Sequence, residues 1–263
     1  MDIYVINLDR HADRWRHASA ALAGVDAHVV RVRAFDGQRL RERPYPAKPK
    51  RGALPALGMV LTRFEIACVL SHRRAWRKFL ASGAGRCVVV EDDIHLGANV
   101  SAFLNDPALL STGLDLVKLE AHRDWVVLDR KLAAIVQGRE IRRLLTYMPG
   151  AGAYLLTRSA AERLLPLTRG APDMADQLIF NAPKYRPLGF AHFRIGQVRP
   201  APFIQDILLP QAEQSAALET YIGERRGERR RERGFSLAKI RRELLRPLRD
   251  FWFRRRAVHV EFE

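Results

Sequence analysis

Cysteine is nearly absent from this sequence of 263 residues. Cys68 and Cys87 stand alone, with no CxxC pair and no second thiol cluster. Disulfide frameworks and structural zinc sites need grouped thiols, so the sequence supports neither of them. We therefore expect a reducing environment and predict a cytoplasmic protein.

Long apolar runs are also missing. No uninterrupted apolar stretch reaches the ~18 residues that a membrane-spanning helix needs. The first ten residues, MDIYVINLDR, have no cationic leader before an apolar core. We therefore expect no signal peptide, and we expect any contact with a membrane to be peripheral.

Acidic residues are scarce relative to basic ones. Asp and Glu number 29 against 45 Lys and Arg, which gives a formal net charge of +16. Such a field favours anionic partners, but it does not choose among nucleic acid, anionic lipid and phosphorylated small molecules. Hydrophobic residues make up 48% of the chain and charged residues 28%, a composition typical of globular proteins.

Basic charge is concentrated at the C-terminus. Residues 223–263 hold 14 Lys and Arg against 7 Asp and Glu. Apolar residues recur there at helical spacing, namely Leu237, Ile240, Leu244, Leu248 and Phe251. This pattern predicts a domain of residues 1–222 followed by a basic amphipathic helical tail of residues 223–263, interrupted near Pro247. The tail either lies on an anionic membrane surface or docks on the domain with its charges solvated.

Apolar strands alternate with helices along the first 165 residues. Strands are predicted at 3–6, 29–32, 87–90, 114–119 and 152–156, and helices at 11–24, 62–80 and 159–165. Thr62 and Glu65 match a capping box at the start of the second helix. The prolines of residues 44–55 predict a surface loop. Strands separated by helices favour an α/β fold with a mostly parallel, Rossmann-type sheet flanked by helices.

Three consecutive acids, Glu91, Asp92 and Asp93, follow the apolar run at residues 88–90. Ligands of open parallel sheets bind at the carboxyl ends of strands, where these acids would lie. Adjacent carboxylates repel one another unless a cation neutralises them, and oxygen ligands suit Mg²⁺ or Mn²⁺ better than Zn²⁺. The cluster predicts a metal site that grips a diphosphate. Acids also end strands as solvated turns or helix caps, and the triplet alone does not separate the two interpretations.

Six sequence segments, taken together, favour the metal-site interpretation over solvated acids. They are INLDRHADRW, RAFDG, LTRFEIACVLSHRRAW, VVVEDDIHL, GAGAYLLTRSAAERLL and DMADQLIF. In this order they resemble glycosyltransferase family 25, over roughly residues 2 to 180. The resemblance implies a GT-A-like nucleotide-sugar fold, a UDP-sugar donor, most often UDP-galactose, and a divalent metal, Mn²⁺ or Mg²⁺. It also implies inverting transfer to a saccharide or lipid-linked glycan acceptor in lipopolysaccharide, lipooligosaccharide or another surface glycan. With a lipid-linked acceptor, we expect the protein to work at the inner face of the cytoplasmic membrane.

The family pattern also implies roles for single residues. It gives Glu91, Asp92 and Asp93 as metal ligands, with Asp93 the most direct. We predict Asp176 of the late motif as the catalytic base, with a metal-proximal or sugar-binding role as its alternative. Glu120, at the end of the predicted strand at 114–119, is the second candidate for the base. Residues expected to contact the donor are Asn7, Arg10, Arg14, Asp36, Gly37, His72 and Asp92. The chain departs from the family at Phe64 and Ala67, where glycines are usual, and in the late motif, where Asp173 and Asp176 are not adjacent.

Two other functions fit parts of the sequence. The acids alone permit a metal-dependent enzyme that hydrolyses a phosphate ester or a nucleotide sugar. The charge alone permits nucleic-acid binding, but no aromatic-lined DNA or RNA module is recognisable, so no nucleic-acid partner is expected.

His72 follows Cys68 by four residues, so the two side chains lie on one face of the predicted helix. Both could equally pack against the sheet.

Overall fold

A large central sheet with helices on both faces forms the protein. The computed structural model describes residues 1–40, 61–171, 173–181, 184, 193–215, 253 and 255–263. Its strands are β1 (Asp2–Asn7), β2 (His28–Arg33), β3 (Arg86–Glu91), β4 (Ile94–Leu96), β5 (Leu116–Lys118), β6 (His122–Val136), β7 (Arg139–Leu144), β8 (Ala153–Thr157), β9 (Ile195–Arg199), β10 (Phe203–Gln205) and β11 (Ala257–Val260). Its helices are α1 (Ala12–Leu22), α2 (Arg63–Ala81), α3 (Val100–Asn105), α4 (Pro107–Leu110), α5 (Arg158–Leu167) and α6 (Ala175–Phe180). The predicted α/β class is confirmed, and the predicted loop at 44–55 lies outside the described residues.

The sheet is mixed, so the prediction of a mostly parallel sheet is wrong. Nine strands follow the order β11-β6-β7-β9-β5-β8-β3-β1-β2. Only β1 with β2, β1 with β3, and β5 with β9 pair in parallel among these strands. Strand β8 runs antiparallel between β3 and β5, and β6 returns directly as β7 through a two-residue turn. Gln137 and Gly138 of that turn both have positive φ, the backbone that a tight hairpin needs.

Alternating residues of the central strands fill two cores. Tyr4 and Ile6 point to the face covered by α2 and α5, where they share a core with Trp76 and Phe79 of α2. Ile3 and Val5 point to the opposite face, where they meet Leu22 of α1, Phe103 of α3 and Leu109 of α4. Because both faces are covered, β1 and β3 consist almost entirely of buried residues. The two cores hold the carboxyl ends of β1 and β3 side by side.

Helix α2 begins as the sequence predicts. The Thr62 hydroxyl accepts from the backbone N–H of Glu65, and the Glu65 carboxylate accepts from the backbone N–H of Thr62. Both halves of the capping box are therefore present. This cap fixes where the helix starts, and thereby which of its side chains face the end of β3.

The end of the chain belongs to the sheet. Strand β11 pairs antiparallel with β6, and the Arg139 guanidinium donates to the backbone oxygen of Glu263 over 2.6 Å. Residues 257–260 of the predicted helical tail are thus a strand, and the predicted amphipathic helix at 237–251 lies outside the described residues. Over the described ranges, no helix combines the length and the apolar character needed to cross a membrane.

Candidate active site

The predicted acid cluster lies where β3 ends beside β1. Glu91 is in register with Ile6, so Asp92 and Asp93 follow β3 next to Asn7. The Asn7 amide donates to Asp92 Oδ2 over 2.6 Å, and the Arg14 guanidinium lies 2.6 Å from Asp92 Oδ1 and 3.1 Å from Asp93 Oδ2. Asn7, Asp92 and Asp93 are buried. Four of the predicted residues therefore form one buried network.

Glu91 and Asp93 converge on a residue that the sequence did not single out. Gln205 of β10 donates to Glu91 Oε2 over 2.9 Å and lies 3.3 Å from Asp93 Oδ1. Two carboxylate oxygens thus meet near one point, while Asp92 is turned towards Asn7 and Arg14. A hard divalent cation takes such oxygen pairs, so these residues fit the implied Mn²⁺ or Mg²⁺. Glu91 and Asp93 are better placed than Asp92 to contact an ion.

Burial changes the acidity of the cluster. Burial, reinforced by the charge of Glu91 and opposed by Arg14, raises the pKa of Asp93 to about 7. Burial also raises the pKa of Asp92. Burial acts in the same direction on Glu91, but a hydrogen bond from His72 and the positive charges of His72 and Arg14 outweigh it and lower the pKa of that carboxyl. A bound cation would stabilise the ionised forms of Asp92 and Asp93.

We expect thermal stability without divalent ions to fall as pH rises from about 5 to about 8. The folded state holds the Asp93 proton up to about pH 7, whereas an unfolded Asp loses it near about pH 3.9. The stabilisation by the protonated form is complete below the lower pKa and disappears through the upper one. Melting curves across this range measure it, and Mn²⁺ should recover stability at the alkaline end.

The matched variants are Asp93→Asn and Asp13→Asn. Asparagine at 93 removes the titrating group, so both the pH slope and the Mn²⁺ effect should shrink. Asp13 is an exposed residue of α1, and its asparagine variant should keep both. A melting temperature that is flat in pH for the parent protein would contradict the assignment of a raised pKa to Asp93.

A basic cavity lies at the same edge of the sheet as the acid cluster. It has a volume of about 380 Å³ and lies beyond the carboxyl ends of β1 and β2. Arg10 and Asp36 line it as an ion pair, Arg33 and Asp9 line it as a second pair, and Arg39 and Arg74 also line it. Four arginines against two acids leave the lining positively charged, which suits an anionic ligand.

Gly37 shapes the wall of this cavity. A Cβ atom at this position would lie 2.5 Å from the Phe64 ring, so only glycine lets the turn at residues 37–39 pack this closely on α2. Asp36 caps the same turn by accepting from the backbone N–H of Gln38. The structure places both residues at the predicted pocket, Asp36 in its lining and Gly37 behind it.

Asp176 lies on the other side of Glu91, at the start of α6. Its carboxylate accepts from the Tyr147 hydroxyl over 2.5 Å and from the backbone N–H of Gly150 over 3.2 Å. It is half-buried, so a ligand can reach it. Burial, and then the charges of Glu91, Asp176 and Asp93, raise the pKa of the Cys68 thiol.

Glu120 is placed differently from Asp176. It is fully buried, with Lys118 Nζ 2.5 Å from its Oε1 and the backbone N–H of Gly152 donating to its Oε2 over 2.9 Å. Burial raises its pKa to about 7, against the opposing charge of Lys118. The Lys118 ammonium also donates to the backbone oxygen of Gly150. Glu120 thus anchors the segment next to Asp176 and is closed to a ligand, whereas Asp176 is half-buried.

Glu120→Ala should lower the free energy of unfolding by about 3–5 kcal/mol, because Lys118 would be left as an unpaired buried charge. Urea unfolding followed by circular dichroism measures this. Glu140→Ala, which breaks a half-exposed pair with Arg142, is the control and should cost less than about 1 kcal/mol. Equal effects of the two variants would contradict a structural role for the Lys118–Glu120 pair.

Fold and site together define an α/β protein that carries a buried acid cluster and a basic cavity at the carboxyl edge of neighbouring strands. Residues 1–179 match glycosyltransferase family 25, described as LPS biosynthesis protein, and the chain belongs to this family. The resemblance noted from the six sequence segments is thereby confirmed.

Similar proteins include two bacterial proteins of glycan biosynthesis and one human protein. The lipooligosaccharide biosynthesis protein lex-1 of Haemophilus influenzae is 27% identical over 61% of this chain and 54% of its own length. The lacto-N-neotetraose biosynthesis glycosyltransferase LgtB of Neisseria meningitidis is 28% identical over 61% of this chain and 59% of its own length. A human protein named inactive glycosyltransferase 25 family member 3 is 29% identical over 67% of this chain and 32% of its own length. The chain thus matches somewhat more than half the length of these two bacterial relatives and a third of the human one.

Proposed function

We propose that this protein transfers a sugar from a UDP-sugar to a saccharide or lipid-linked acceptor in the synthesis of lipopolysaccharide or another surface glycan. The donor that we propose first is UDP-galactose. The observation that carries the proposal is the pair of Glu91 and Asp93 beside the arginine-lined cavity. The names of the two bacterial relatives support the substrate class. One relative is named inactive, so membership of the family does not by itself establish activity, and the geometry of the site has to support it.

The residues of the site have separate roles in one in-line displacement. A divalent ion, Mn²⁺ or Mg²⁺, would be held by Glu91 and Asp93, with Asp92 beside them, and would neutralise charge on the leaving diphosphate. Arg14 holds Asp92 and Asp93 in place, and Arg10 offers its guanidinium to the anionic donor in the cavity. This arrangement is the one expected of a GT-A-like fold.

Proton transfer falls to Asp176. The acceptor hydroxyl oxygen forms a bond to the anomeric carbon, the bond from that carbon to the UDP oxygen breaks, and the hydroxyl proton passes to the Asp176 carboxylate. One displacement of this kind inverts the anomeric configuration. Tyr147 and the Gly150 amide fix the carboxylate from behind, so that a free lone pair remains for the acceptor.

A two-stage assay tests the proposal. A screen of UDP-sugars by thermal shift should show stabilisation that needs Mn²⁺, of about 2.7 kcal/mol when the free sugar nucleotide is at 100 times its Kd. UDP release should then depend on an added saccharide acceptor. Release that proceeds equally fast without an acceptor would favour a nucleotide-sugar hydrolase, and the absence of any stabilisation by a UDP-sugar would overturn the proposal.

We also propose that residues 223–256 hold the enzyme on an anionic membrane surface on the cytoplasmic side. Deletion after Ile222 is a poor test, because it removes β11 from the sheet. Substitution to glutamine keeps the chain length, and the positions are Arg242, Arg246 and Arg249. At ~1 kcal/mol for each charge, the triple variant should bind phosphatidylserine vesicles about 100-fold more weakly.

The control for this change removes the same charge from the exposed domain surface, at Arg16, Arg130 and Arg143. Co-sedimentation with vesicles measures both triple variants. Equal losses in the two would show that net charge, rather than the tail, sets membrane binding.

A further inference from the structure

Three side chains with different donor atoms meet next to the acid cluster. Cys68 and His72 lie one turn apart on α2 and therefore on the same face of the helix. Glu91 faces them from the end of β3. The thiol sulfur, a ring nitrogen and a carboxylate oxygen of these three residues all lie within 4.8 Å of one another. Among the described residues, no other group of three has its ligand atoms this close. Cys68 Sγ is 3.9 Å and His72 Nε2 is 3.3 Å from Glu91 Oε1.

We propose that Cys68, His72 and Glu91 bind a thiophilic divalent cation of the Zn²⁺ class. Bonds of ~2.3 Å to sulfur and ~2.0 Å to nitrogen and oxygen in a tetrahedron place the ligand atoms ~3.3–3.5 Å apart. The nitrogen–oxygen separation already has this value, the sulfur–oxygen separation is 3.9 Å, and all three ligand atoms lie within 4.8 Å of one another. The donor set differs in kind from the oxygen pair of Glu91 and Asp93, because sulfur and imidazole select soft metals. Glu91 is common to both sets: its Oε1 faces Cys68 and His72, and its Oε2 faces Gln205.

The orientation of His72 supports this site. Its Nδ1 lies 2.9 Å from the Tyr154 hydroxyl, and that hydroxyl accepts from Trp76 Nε1 over 2.8 Å. Tyr154 and Trp76 are fully buried, so the imidazole is locked with Nε2 towards Cys68 and Glu91. Metal-binding histidines are usually held in this way through their second ring nitrogen.

An ion can reach the three ligands, and the thiol can supply the charge. Cys68 is half-buried and the Glu91 side chain is 23% exposed, which leaves a path from solvent. Binding forms the metal–sulfur bond, breaks the S–H bond and releases that proton to solvent. Three protein ligands leave a fourth position open.

Cobalt substitution tests the site directly. Full-length protein, freed of any purification tag and fully reduced, is titrated with Co²⁺ while its absorption spectrum is recorded. We expect a thiolate-to-cobalt charge-transfer band that saturates at one equivalent and disappears when Zn²⁺ is added. The band reports a sulfur ligand, so the other histidines of the chain do not produce it, and neither does the oxygen cluster.

Variants assign the band. Cys68→Ser should abolish it and weaken Zn²⁺ binding by more than about 100-fold, the upper range for loss of an outer hydrogen-bond partner of a ligand. Cys87→Ala is the matched control, because Cys87 is buried within β3 and is not part of the cluster; this variant should keep the band. Tyr154→Phe should keep the band and weaken Zn²⁺ binding by about 10–100-fold.

The spectrum of the unaltered protein decides the matter even if a variant fails to fold. Folded protein that shows no sulfur band at one equivalent of Co²⁺ would overturn the site, as would a band that survives in Cys68→Ser. Because Cys68 takes no part in the proposed sugar transfer, this failure would leave Mn²⁺-dependent binding of a UDP-sugar intact. Loss of UDP-sugar binding with a normal cobalt spectrum would instead count against the proposed function alone.

Discussion

Asp93→Asn is expected to slow sugar transfer about 1,000-fold, since a metal-bound phosphate leaving group owes several kcal/mol of transition-state stabilisation to its ion. Asp93 lies with Glu91 around Gln205 and is held by Arg14, so asparagine removes one charged oxygen ligand while keeping the shape of the side chain. The measurement is the rate of acceptor-dependent UDP release at saturating UDP-galactose over a range of Mn²⁺ concentrations. The variant should also need more Mn²⁺ to bind the donor.

The control for this experiment is Asp13→Asn, the same chemical change at an exposed position of α1. It should transfer at the parent rate. The Asp93→Asn protein should melt cooperatively, because its neutral side chain can still accept from Gln205. Transfer by a folded Asp93→Asn protein at the parent rate would remove the basis of the metal site and, with it, of the mechanism.

Asp176→Asn is expected to lower kcat by about 100- to 10,000-fold, the range attributed to a positioned general base. Asparagine can keep the hydrogen bonds from Tyr147 and Gly150 but cannot take the acceptor proton. Asp176 makes no contact with Arg14, Asp92 or Gln205 among the hydrogen bonds and ion pairs of the described residues, so Mn²⁺-dependent binding of UDP-galactose should be unchanged. A fall in kcat with intact donor stabilisation therefore separates this role from that of Asp93.

Two further variants sharpen this result. Tyr147→Phe removes one hydrogen bond to Asp176 and should shift the pH profile of kcat while costing much less rate. Asp124→Asn changes an exposed acid and should change neither quantity. If Asp176→Asn instead abolished donor binding, Asp176 would be a donor ligand, and the base would have to be sought elsewhere.

Local sequence patterns were sufficient to predict most of the strands and helices in the first half of the fold. Apolar runs bounded by turns predicted β1, α1, β2 and β3 to within a few residues, and Thr62 with Glu65 predicted the start of α2. Strand direction carries no comparable local signal. A buried strand such as β8 has the same apolar composition whether it runs parallel or antiparallel to its neighbours. The β6–β7 hairpin left one visible sign in the sequence, the Gln137-Gly138 pair that forms its turn.

The sequence by itself determined that Glu91, Asp92 and Asp93 follow a buried strand, and that Asn7 and Arg14 flank the first one. Only the tertiary structure decided how these residues divide their contacts, because Gln205 is more than 100 positions away from the acids that it joins. It also separated two carboxylates that look alike in sequence, since burial beside Lys118 makes Glu120 an anchor while partial exposure leaves Asp176 open to a ligand. Chain direction, burial and long-range pairing are properties of the packed molecule, and hydrophobic patterning along a single segment does not encode them.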